Sequence, residues 1–280
     1  MTTIIDGKKI ARQIRERVAA DVAASFAAAP PGLATILVGD DPASAVYVSS
    51  KRRAVRAVGM LDLHRSLPES SAQEDVAAVI DGLAADPAVS GILLQLPLPK
   101  GLDAALLIER IPAVKDVDGL TTLSAGLLAR GRDGLSPCTP SGIIELLDAE
   151  SVPVAGARAV VVGRSELVGR PMAQLLLQRD ATVTTAHRHT ADLAAVTRDA
   201  DILVVAAGVR GLIGAEHVKP GATVIDVGIH RTLSGLKGDV RAAELDGIAA
   251  RITPVPGGVG PMTIAMLMAN TLRAAQWAAR

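Results

Sequence analysis

Apolar and polar positions alternate along this chain with two different periods. Short apolar runs rich in β-branched residues are separated by longer stretches in which apolar residues recur at helical spacing. This alternation is typical of α/β proteins with parallel sheets. The strands that it predicts lie at 34–38, 60–63, 91–94, 158–162, 181–185, 201–205 and 223–227. The helices that it predicts in the first half lie around 43–58 and 73–85.

The order of these segments predicts two α/β halves. The strands of the second half follow one another with the spacing of a nucleotide-binding sheet. Between the halves, the segment 112–140 is rich in Gly, Asp, Pro and Thr, which is typical of a chain that crosses from one domain to another. We expect the active site in the cleft at this crossing.

Composition argues against several classes of function. The chain has 280 residues, of which 49% are hydrophobic, so it can build one large or two ordinary cores. Its formal net charge is zero and only 1% of its residues are aromatic, which offers nucleic acid neither attraction nor stacking platforms. No apolar run reaches membrane-spanning length, and Asp6, Lys8 and Lys9 stand where a signal peptide would need its apolar core. With Cys138 as its one cysteine, we expect a cytoplasmic protein without nucleic-acid or membrane partners.

The segment 253–263 combines rigid prolines with glycines that have no side chain. Its sequence is Thr-Pro-Val-Pro-Gly-Gly-Val-Gly-Pro-Met-Thr. Its prolines fix φ and remove hydrogen-bond donors, while its glycines permit positive φ and the close approach of another molecule. A helical pattern follows from Ile264 onward, with Pro261 near its start. The segment is therefore either a ligand-binding loop or an ordered hinge in front of a C-terminal helix.

A glycine turn follows the predicted strand 158–162 and opens a helical run. Gly163, Arg164 and Ser165 begin this turn, which would aim amide N–H groups and a helix N-terminus at a diphosphate. Its spacing departs from G-x-G-x-x-G, so the alternative is an ordinary turn between a strand and a helix.

The strand after that turn lacks the acidic residue that usually binds the ribose hydroxyls of NAD. The chain reads His187-Arg188-His189 instead. Arg164 and Arg188 can bracket a 2′-phosphate with charge-assisted hydrogen bonds, which favours NADP as the cofactor, or they can be two solvated arginines. The two histidines have no carboxylate or thiolate at a recognised ligand spacing, so we expect no metal.

Polar residues in the first half are candidates for catalysis. Tyr47 and Lys51 share one predicted helix face, either as a catalytic phenol and amine or as a surface pair. Gln95 interrupts an apolar run and must find partners, which are either backbone groups or a catalytic side chain. Asp116 and Asp118, in Lys-Asp-Val-Asp-Gly, suit an Asx turn or a carboxylate presented to a ligand.

Taken together, six segments resemble one enzyme family in order and spacing over essentially the whole chain. It is the family of bifunctional methylenetetrahydrofolate dehydrogenase/methenyltetrahydrofolate cyclohydrolase. The segments that carry the resemblance are 47–51, 95–99, 116–119, 137–140, 163–165 and 253–263.

The resemblance implies an activity and a domain arrangement. The activity is NADP-dependent oxidation of 5,10-methylenetetrahydrofolate to 5,10-methenyltetrahydrofolate, followed by hydrolysis to 10-formyltetrahydrofolate. Such an oxidoreductase and hydrolase serves one-carbon metabolism and purine biosynthesis. The implied domains are a folate-binding catalytic domain at 1–118, completed by a C-terminal helix at 262–280, and a linker with a Rossmann-like NADP-binding domain at 119–261. The implied partners are tetrahydrofolate derivatives and a second copy of the chain in a homodimer.

The resemblance also implies roles for individual residues. Lys51 is the central catalytic residue, Tyr47 and Gln95 support it, and Asp118 anchors the folate; all four contact the substrate. The folate site also includes Pro256, Gly257, Gly258, Val259 and Gly260. The NADP site that the resemblance implies includes Gly163, Arg164 and Ser165, with Ile229 near the nicotinamide; Arg188 joins this site on the charge argument given above.

The chain departs from the family pattern at two positions. Arg188 stands where the family commonly has Ser, and Ser141 stands where it commonly has a basic residue. These departures leave cofactor affinity open. Two alternative functions also stay open: a dehydrogenase with little cyclohydrolase activity, and a catalytically silent NADP-binding regulatory protein.

Overall fold

The computed structural model describes residues 1–233 and 235–279 of the chain. Its strands in chain order are β1 (Thr3–Ile4), β2 (Gly32–Val38), β3 (Leu61–Asp62), β4 (Arg65–Leu67), β5 (Val89–Leu94), β6 (Arg158–Val162), β7 (Thr182–Ala186), β8 (Ile202–Val205), β9 (Thr223–Asp226), β10 (His230–Thr232), β11 (Gly235–Lys237) and β12 (Arg251–Ile252). Its α-helices in chain order are α1 (Gly7–Ser25), α2 (Pro42–Ala57), α3 (Gln73–Ala85), α4 (Ala104–Ile108), α5 (Thr122–Ala129), α6 (Cys138–Ala149), α7 (Gly169–Leu177), α8 (Leu193–Thr197) and α9 (Val259–Ala278). Short 3₁₀ turns lie at Ala215–His217 and Ala242–Leu245.

The chain forms two compact units. The first unit comprises Gln13–Cys138 and Ile264–Arg280, and the second unit comprises Met1–Arg12 and Thr139–Thr263. None of the described helices is both long and apolar enough to cross a membrane.

The sheet of the first unit is built on β2. This strand pairs in parallel with β3, β4 and β5, and all of its residues are buried, as expected of a parallel strand covered on both faces. Ile36 of β2 and Ile92 of β5 belong to one apolar cluster with Val76 and Ile80 of α3. The structure confirms the predicted strands at 34–38 and 91–94 and the predicted helices at 43–58 and 73–85, with small shifts at their ends.

The second unit contains a parallel sheet with the strand order β1-β12-β9-β8-β6-β7. Its four predicted strands are confirmed as β6, β7, β8 and β9. The chain runs from β6 to β7 on one side and then returns to place β8 on the other side. This reversal makes a topological switch point, outside which ligands bind in open α/β sheets. The predicted α/β fold with a Rossmann-like sheet is therefore confirmed.

Several elements differ from the sequence-based expectations. Helix α1 was not predicted, although its buried Ile10, Ile14, Val18 and Val22 recur at every fourth residue. Helix α9 begins at Val259, earlier than predicted. Pro261 is tolerated in its first turn, because the N–H that proline lacks would have no partner within the helix at that position. The last residue of the predicted helix 262–280 lies outside the described residues.

Candidate active site

Helix α2 presents the amine of Lys51 to Gln95. The helix begins at Pro42, and the carboxylate of Asp41 caps it by accepting a hydrogen bond of 2.7 Å from the N–H of Ser44. Lys51 Nζ donates a hydrogen bond of 2.9 Å to Gln95 Oε1. Gln95 Nε2 donates in turn to the carbonyl of Leu96. The polar residue that interrupts the apolar run thus has both a backbone partner and a candidate catalytic partner.

Lys51 and Asp118 influence each other electrostatically. Burial lowers the pKa of Lys51 below its usual value, and the Asp118 carboxylate opposes this shift. Burial also raises the pKa of Asp118, and the Lys51 ammonium opposes that shift. Lys51 therefore carries a larger neutral fraction than a solvated lysine does, which is what an amine needs to accept a proton.

The two neighbouring aspartates have different environments. Asp116 is buried and accepts hydrogen bonds from the N–H groups of Leu120 (3.1 Å) and Thr121 (2.8 Å), so it is the residue that forms the Asx-type turn. Ile92 N–H donates to the carbonyl of Lys115, which holds this segment beside β5. Asp118 is half-buried and interacts with Lys51, so it is the carboxylate available to a ligand.

Cys138 and Asn270 fix the chain around Asp118. Asn270 Nδ2 donates to the carbonyls of Val117 and Ser136, each at 2.9 Å, and Cys138 Sγ lies 3.3 Å from the same Val117 carbonyl. Burial, followed by the Asp118 carboxylate, raises the pKa of the Cys138 thiol well above its usual value. The neutral thiol is a structural group. Asn270 was not predictable as part of this site, because its partners lie far away along the chain.

Tyr47 lies one turn before Lys51 on α2, and 49% of its surface is exposed. The structure thus brings Lys51, Gln95 and Asp118 together, with Tyr47 on the same helix face. A hydrogen bond from the Tyr47 hydroxyl to a reacting group stays a prediction.

Gly163 follows β6 at the switch point of the second unit. Its φ is +123°, and a Cβ on this residue would lie 2.1 Å from the carbonyl oxygen of Ala206. Ala206 itself follows β8, and its N–H donates to the carbonyl of Val162. Only glycine fits this position, which leaves bare backbone where a dinucleotide phosphate would bind.

Ser165 and the two arginines stand on the same edge of the sheet. Ser165 Oγ accepts hydrogen bonds from the N–H groups of Val168 (3.2 Å) and Gly169 (3.4 Å) in front of α7. Arg164 and Arg188 are exposed and follow the ends of the neighbouring parallel strands β6 and β7. Their positions suit a bracketed phosphate, and the alternative of two solvated arginines is compatible with the same exposure.

The histidines beside Arg188 form a tight turn. The N–H of His187 donates to Thr190 Oγ1 at 2.9 Å, and the rings of His187 and His189 meet edge to face with centroids 5.9 Å apart. Among the described residues, no group of three or more His, Cys, Asp or Glu side chains is arranged to hold a metal ion.

The proline–glycine segment turns sharply and packs against the start of α1. The N–H of Gly258 donates a hydrogen bond of 2.8 Å to the carbonyl of Pro254, and the N–H of Lys8 donates one of 3.2 Å to the carbonyl of Gly257. Gly257 has a φ of +110°. A Cβ on Gly7 would lie 1.9 Å from the carbonyl oxygen of Gly258. Pro256 is exposed, whereas Gly258 and Val259 are buried.

Ile229 lies beside the first turn of α9. Its Cδ1 would be 3.9 Å from a Cβ at Gly260, and 48% of the Ile229 surface is exposed. Thr263 of this helix shares a hydrogen bond of 2.9 Å with Thr139 of the predicted 137–140 segment. The second unit thus places Ile229 and Thr139 close to the end of the segment 253–263.

Comparisons with known proteins give matches over most of the chain. The family model described as tetrahydrofolate dehydrogenase/cyclohydrolase, catalytic domain, matches residues 5–118. The model described as the NAD(P)-binding domain of the same family matches residues 137–279. The bifunctional protein FolD 2 of Frankia alni is 66% identical over 278 residues, which cover 99% of this chain and 96% of that protein.

Solved structures give the same result. The bifunctional FolD methylenetetrahydrofolate dehydrogenase/cyclohydrolase of Campylobacter jejuni superposes with a TM-score of 0.97 at 43% identity, covering 99% of this chain and 100% of the other. The methylenetetrahydrofolate dehydrogenase-cyclohydrolase of Trypanosoma brucei, solved with NADP and an inhibitor, gives a TM-score of 0.94 at 38% identity and covers 100% of this chain and 99% of its own.

Proposed function

The chain belongs to the tetrahydrofolate dehydrogenase/cyclohydrolase family, and on that premise we propose how its residues carry out both reactions of the family. The enzyme oxidises 5,10-methylenetetrahydrofolate with NADP⁺ and hydrolyses the methenyl product to 10-formyltetrahydrofolate. The observation that carries the assignment of roles is the pairing of the partly desolvated Lys51 with Gln95 and Asp118.

The residues of the second unit fit NADP. Bare backbone at Gly163 leaves room for the diphosphate, and a side chain there would collide with Ala206. Arg164 and Arg188 would hold the 2′-phosphate, and Ile229 would supply an apolar contact for the nicotinamide. When bound, NADP⁺ accepts the hydride that the folate methylene gives up.

The dehydrogenase step depends mainly on positioning. A nitrogen lone pair next to the methylene expels the hydride and leaves a delocalised cation, so no side chain has to transfer a proton. Asp118 anchors the pterin, whose amide and amine donors lie along one edge where a carboxylate can accept two hydrogen bonds. Gln95 and Tyr47 orient the Lys51 amine relative to the folate.

The cyclohydrolase step needs a group that moves protons. Water must lose a proton as it attacks the methenyl carbon, and a ring nitrogen must then gain one. Lys51 performs both transfers, because burial and the nearby cationic substrate favour its neutral form. Gln95 Oε1 orients the amine by accepting one of its hydrogens.

We also propose domain bounds, an oligomeric state and a cellular compartment for the enzyme. We assign the folate-binding catalytic domain to residues 1–118 with the C-terminal helix 262–280, and the linker and Rossmann-like NADP-binding domain to 119–261. Pro256, Gly257, Gly258, Val259 and Gly260 complete the folate site. We further propose that the enzyme is a cytoplasmic homodimer.

One assay tests the function as a whole. Mixing the protein with 5,10-methylenetetrahydrofolate and NADP⁺ should produce NADPH absorbance, and the methenyl intermediate should then decay to the formyl product faster than without protein. NADPH formation without accelerated decay would indicate a dehydrogenase with little cyclohydrolase activity. No NADPH formation by a protein that binds NADP⁺ would indicate the regulatory alternative.

We expect kcat/KM to be higher with NADP⁺ than with NAD⁺, because Arg164 and Arg188 follow adjacent strand ends and no acidic residue occupies the ribose position. Each charged hydrogen bond to the 2′-phosphate contributes about 1.5–3 kcal/mol. Arg188→Ser should therefore reduce the preference roughly tenfold or more.

Measurement of kcat/KM with both cofactors, in the wild type and in Arg188→Ser, checks this prediction. Arg198→Ser is the matched control, because Arg198 is an exposed arginine of the same unit that follows α8. Equal efficiencies with the two cofactors in the wild type would contradict the prediction. An unchanged preference in Arg188→Ser would assign the phosphate to Arg164.

The Asp118→Ala change should weaken folate use and spare NADP binding. The substitution leaves the pterin donors without their charged acceptor, which costs about 1.5–3 kcal/mol per hydrogen bond. We expect the KM for methylenetetrahydrofolate to rise by roughly 10- to 100-fold. Steady-state kinetics and a separate NADP⁺ titration measure the two effects.

A matched substitution separates this role from a general loss of charge. Asp133→Ala removes a carboxylate of the same unit whose side chain is 98% exposed, so its folate KM should equal that of the wild type. If Asp118→Ala behaved like Asp133→Ala, Asp118 would be a turn residue only.

A further inference from the structure

Two buried carboxylates lie side by side beneath the carboxyl ends of β8 and β9. Asp226 closes β9 with 3% of its surface exposed, and Asp239 follows β11 with none exposed. The N–H of Asp239 donates a hydrogen bond of 2.9 Å to Asp226 Oδ1, and the N–H of Val240 donates one of 3.0 Å to Asp226 Oδ2. Buried charge is costly unless it is fully hydrogen-bonded, so this pair needs a definite set of partners.

The partners of Asp239 come from two separate loops. Its Oδ2 accepts hydrogen bonds of 2.8 Å from the N–H groups of both Ala207 and Gly208, in the loop that follows β8. Its Oδ1 lies 2.7 Å from His230 Nε2, at the end of the loop that follows β9. In the tautomer whose Nε2 carries the hydrogen, His230 donates to this carboxylate. One side chain therefore ties the two loops together.

The surrounding backbone is shaped around these carboxylates. A Cβ on Gly228 would lie 2.3 Å from Asp239 Oδ1, and a Cβ on Gly238 would lie 1.8 Å from Asp226 Oδ2. Gly228 N–H also donates 3.0 Å to Asp226 Oδ1. The chain approaches both carboxylates too closely for any side chain, so the loops have little freedom to choose another position.

The two tied loops border the proposed cofactor site. Ala206, next to Ala207, is the residue whose carbonyl would collide with a Cβ on Gly163 at the switch point. Ile229, proposed to contact the nicotinamide, stands between Gly228 and His230. The N–H of Ala207 and the N–H of Gly208 both donate to Asp239, so this buried carboxylate fixes the orientation of the loop.

We propose that Asp239, assisted by His230, is a positioning residue for hydride transfer, which holds the loops after β8 and β9 in the arrangement that NADP⁺ requires. This role rests on the proposed NADP-dependent reaction. Asp239 touches neither substrate nor cofactor in this proposal. Its effect is confined to the second unit, whereas Lys51, Gln95 and Asp118 belong to the first.

Asp239→Asn tests the proposal with almost no change in shape. An amide has a single acceptor oxygen and places an NH₂ group against either the two backbone donors or His230 Nε2. Misplacement of reacting groups by about 1 Å can cost about 10²-fold in rate, so we expect the dehydrogenase kcat to fall by that order and the KM for NADP⁺ to rise. Hydrolysis of preformed methenyltetrahydrofolate without NADP⁺ should stay within about twofold of the wild type, because general acid–base catalysis by Lys51 is untouched.

His230 provides a second variant that preserves Asp239. His230→Ala removes one partner of the carboxylate, and His230→Gln restores a side-chain N–H donor. We expect an intermediate loss of dehydrogenase kcat in His230→Ala and partial recovery in His230→Gln. Asp246→Asn is the matched control, because its exposed carboxylate accepts from the N–H of Thr2 in the same unit and lies outside this network.

The outcomes separate this inference from the proposed function. A wild type that forms no NADPH would defeat the proposed function itself. If the wild type is active, wild-type dehydrogenase kinetics in folded Asp239→Asn or in His230→Ala would overturn the positioning role. Equal losses of both activities in His230→Ala, together with a lower melting temperature, would also overturn it, because they would show a general structural role.

Discussion

Lys51→Met is expected to lose cyclohydrolase activity by at least about 10²–10⁴-fold, the range that general acid–base assistance typically supplies. Methionine keeps the length and apolar contacts of the side chain but deletes the amine that donates 2.9 Å to Gln95. Because methionine has a similar volume, the packing around α2 is retained and the fold should survive.

The dehydrogenase activity of Lys51→Met should fall less than its cyclohydrolase activity. Hydride transfer needs no obligatory proton donor, so only the contribution of Lys51 to folate placement is lost. Both rates are measured at saturating folate, with NADP⁺ binding and thermal unfolding as checks on the fold. Lys100→Met is the matched control, since Lys100 is an exposed lysine of the same unit. Near-normal methenyl hydrolysis by folded Lys51→Met would refute the mechanism.

The parts of this site that were predictable from sequence carry a local signal. Gln95 could be singled out because an amide in an apolar run must find partners, and the structure supplies Lys51 and a backbone carbonyl. Gly163 could be singled out because a glycine between a strand and a helix permits both positive φ and close approach. The strands β2, β5 and β6 were predictable because buried parallel strands are continuous apolar runs.

The parts that were not predictable depend on partners that are distant along the chain. Asp239 binds backbone N–H groups of Ala207 and Gly208, and Asn270 binds the carbonyls of Val117 and Ser136. A backbone group has no residue-specific signature, so nothing in the local sequence marks it as the partner of a remote side chain. The distinction between Asp116 and Asp118 likewise appears only once the turn at Thr121 is formed.

The backbone at the switch point has no room for a side chain at Gly163. Gly163→Ala should abolish productive NADP⁺ binding and lower the dehydrogenase kcat/KM by more than about 10²-fold, because the new methyl group would lie 2.1 Å from the Ala206 carbonyl oxygen. Relief of this collision requires the ends of β6 and β8 to move apart. Those ends form the wall of the crevice in which a dinucleotide binds in this type of sheet.

Gly156→Ala separates this collision from the cost of a positive φ. Gly156 also has a positive φ, +76°, but no atom lies within 4 Å of its Cβ position. Alanine there should cost only the roughly 1–2 kcal/mol of left-handed backbone, with a lower melting temperature and unchanged cofactor kinetics. In Gly163→Ala, methenyl hydrolysis should persist, because Lys51, Gln95 and Asp118 belong to the first unit. If Gly163→Ala and Gly156→Ala reduced the melting temperature alike and both kept wild-type NADP⁺ kinetics, Gly163 would be an ordinary turn glycine and the switch point would not bind the cofactor.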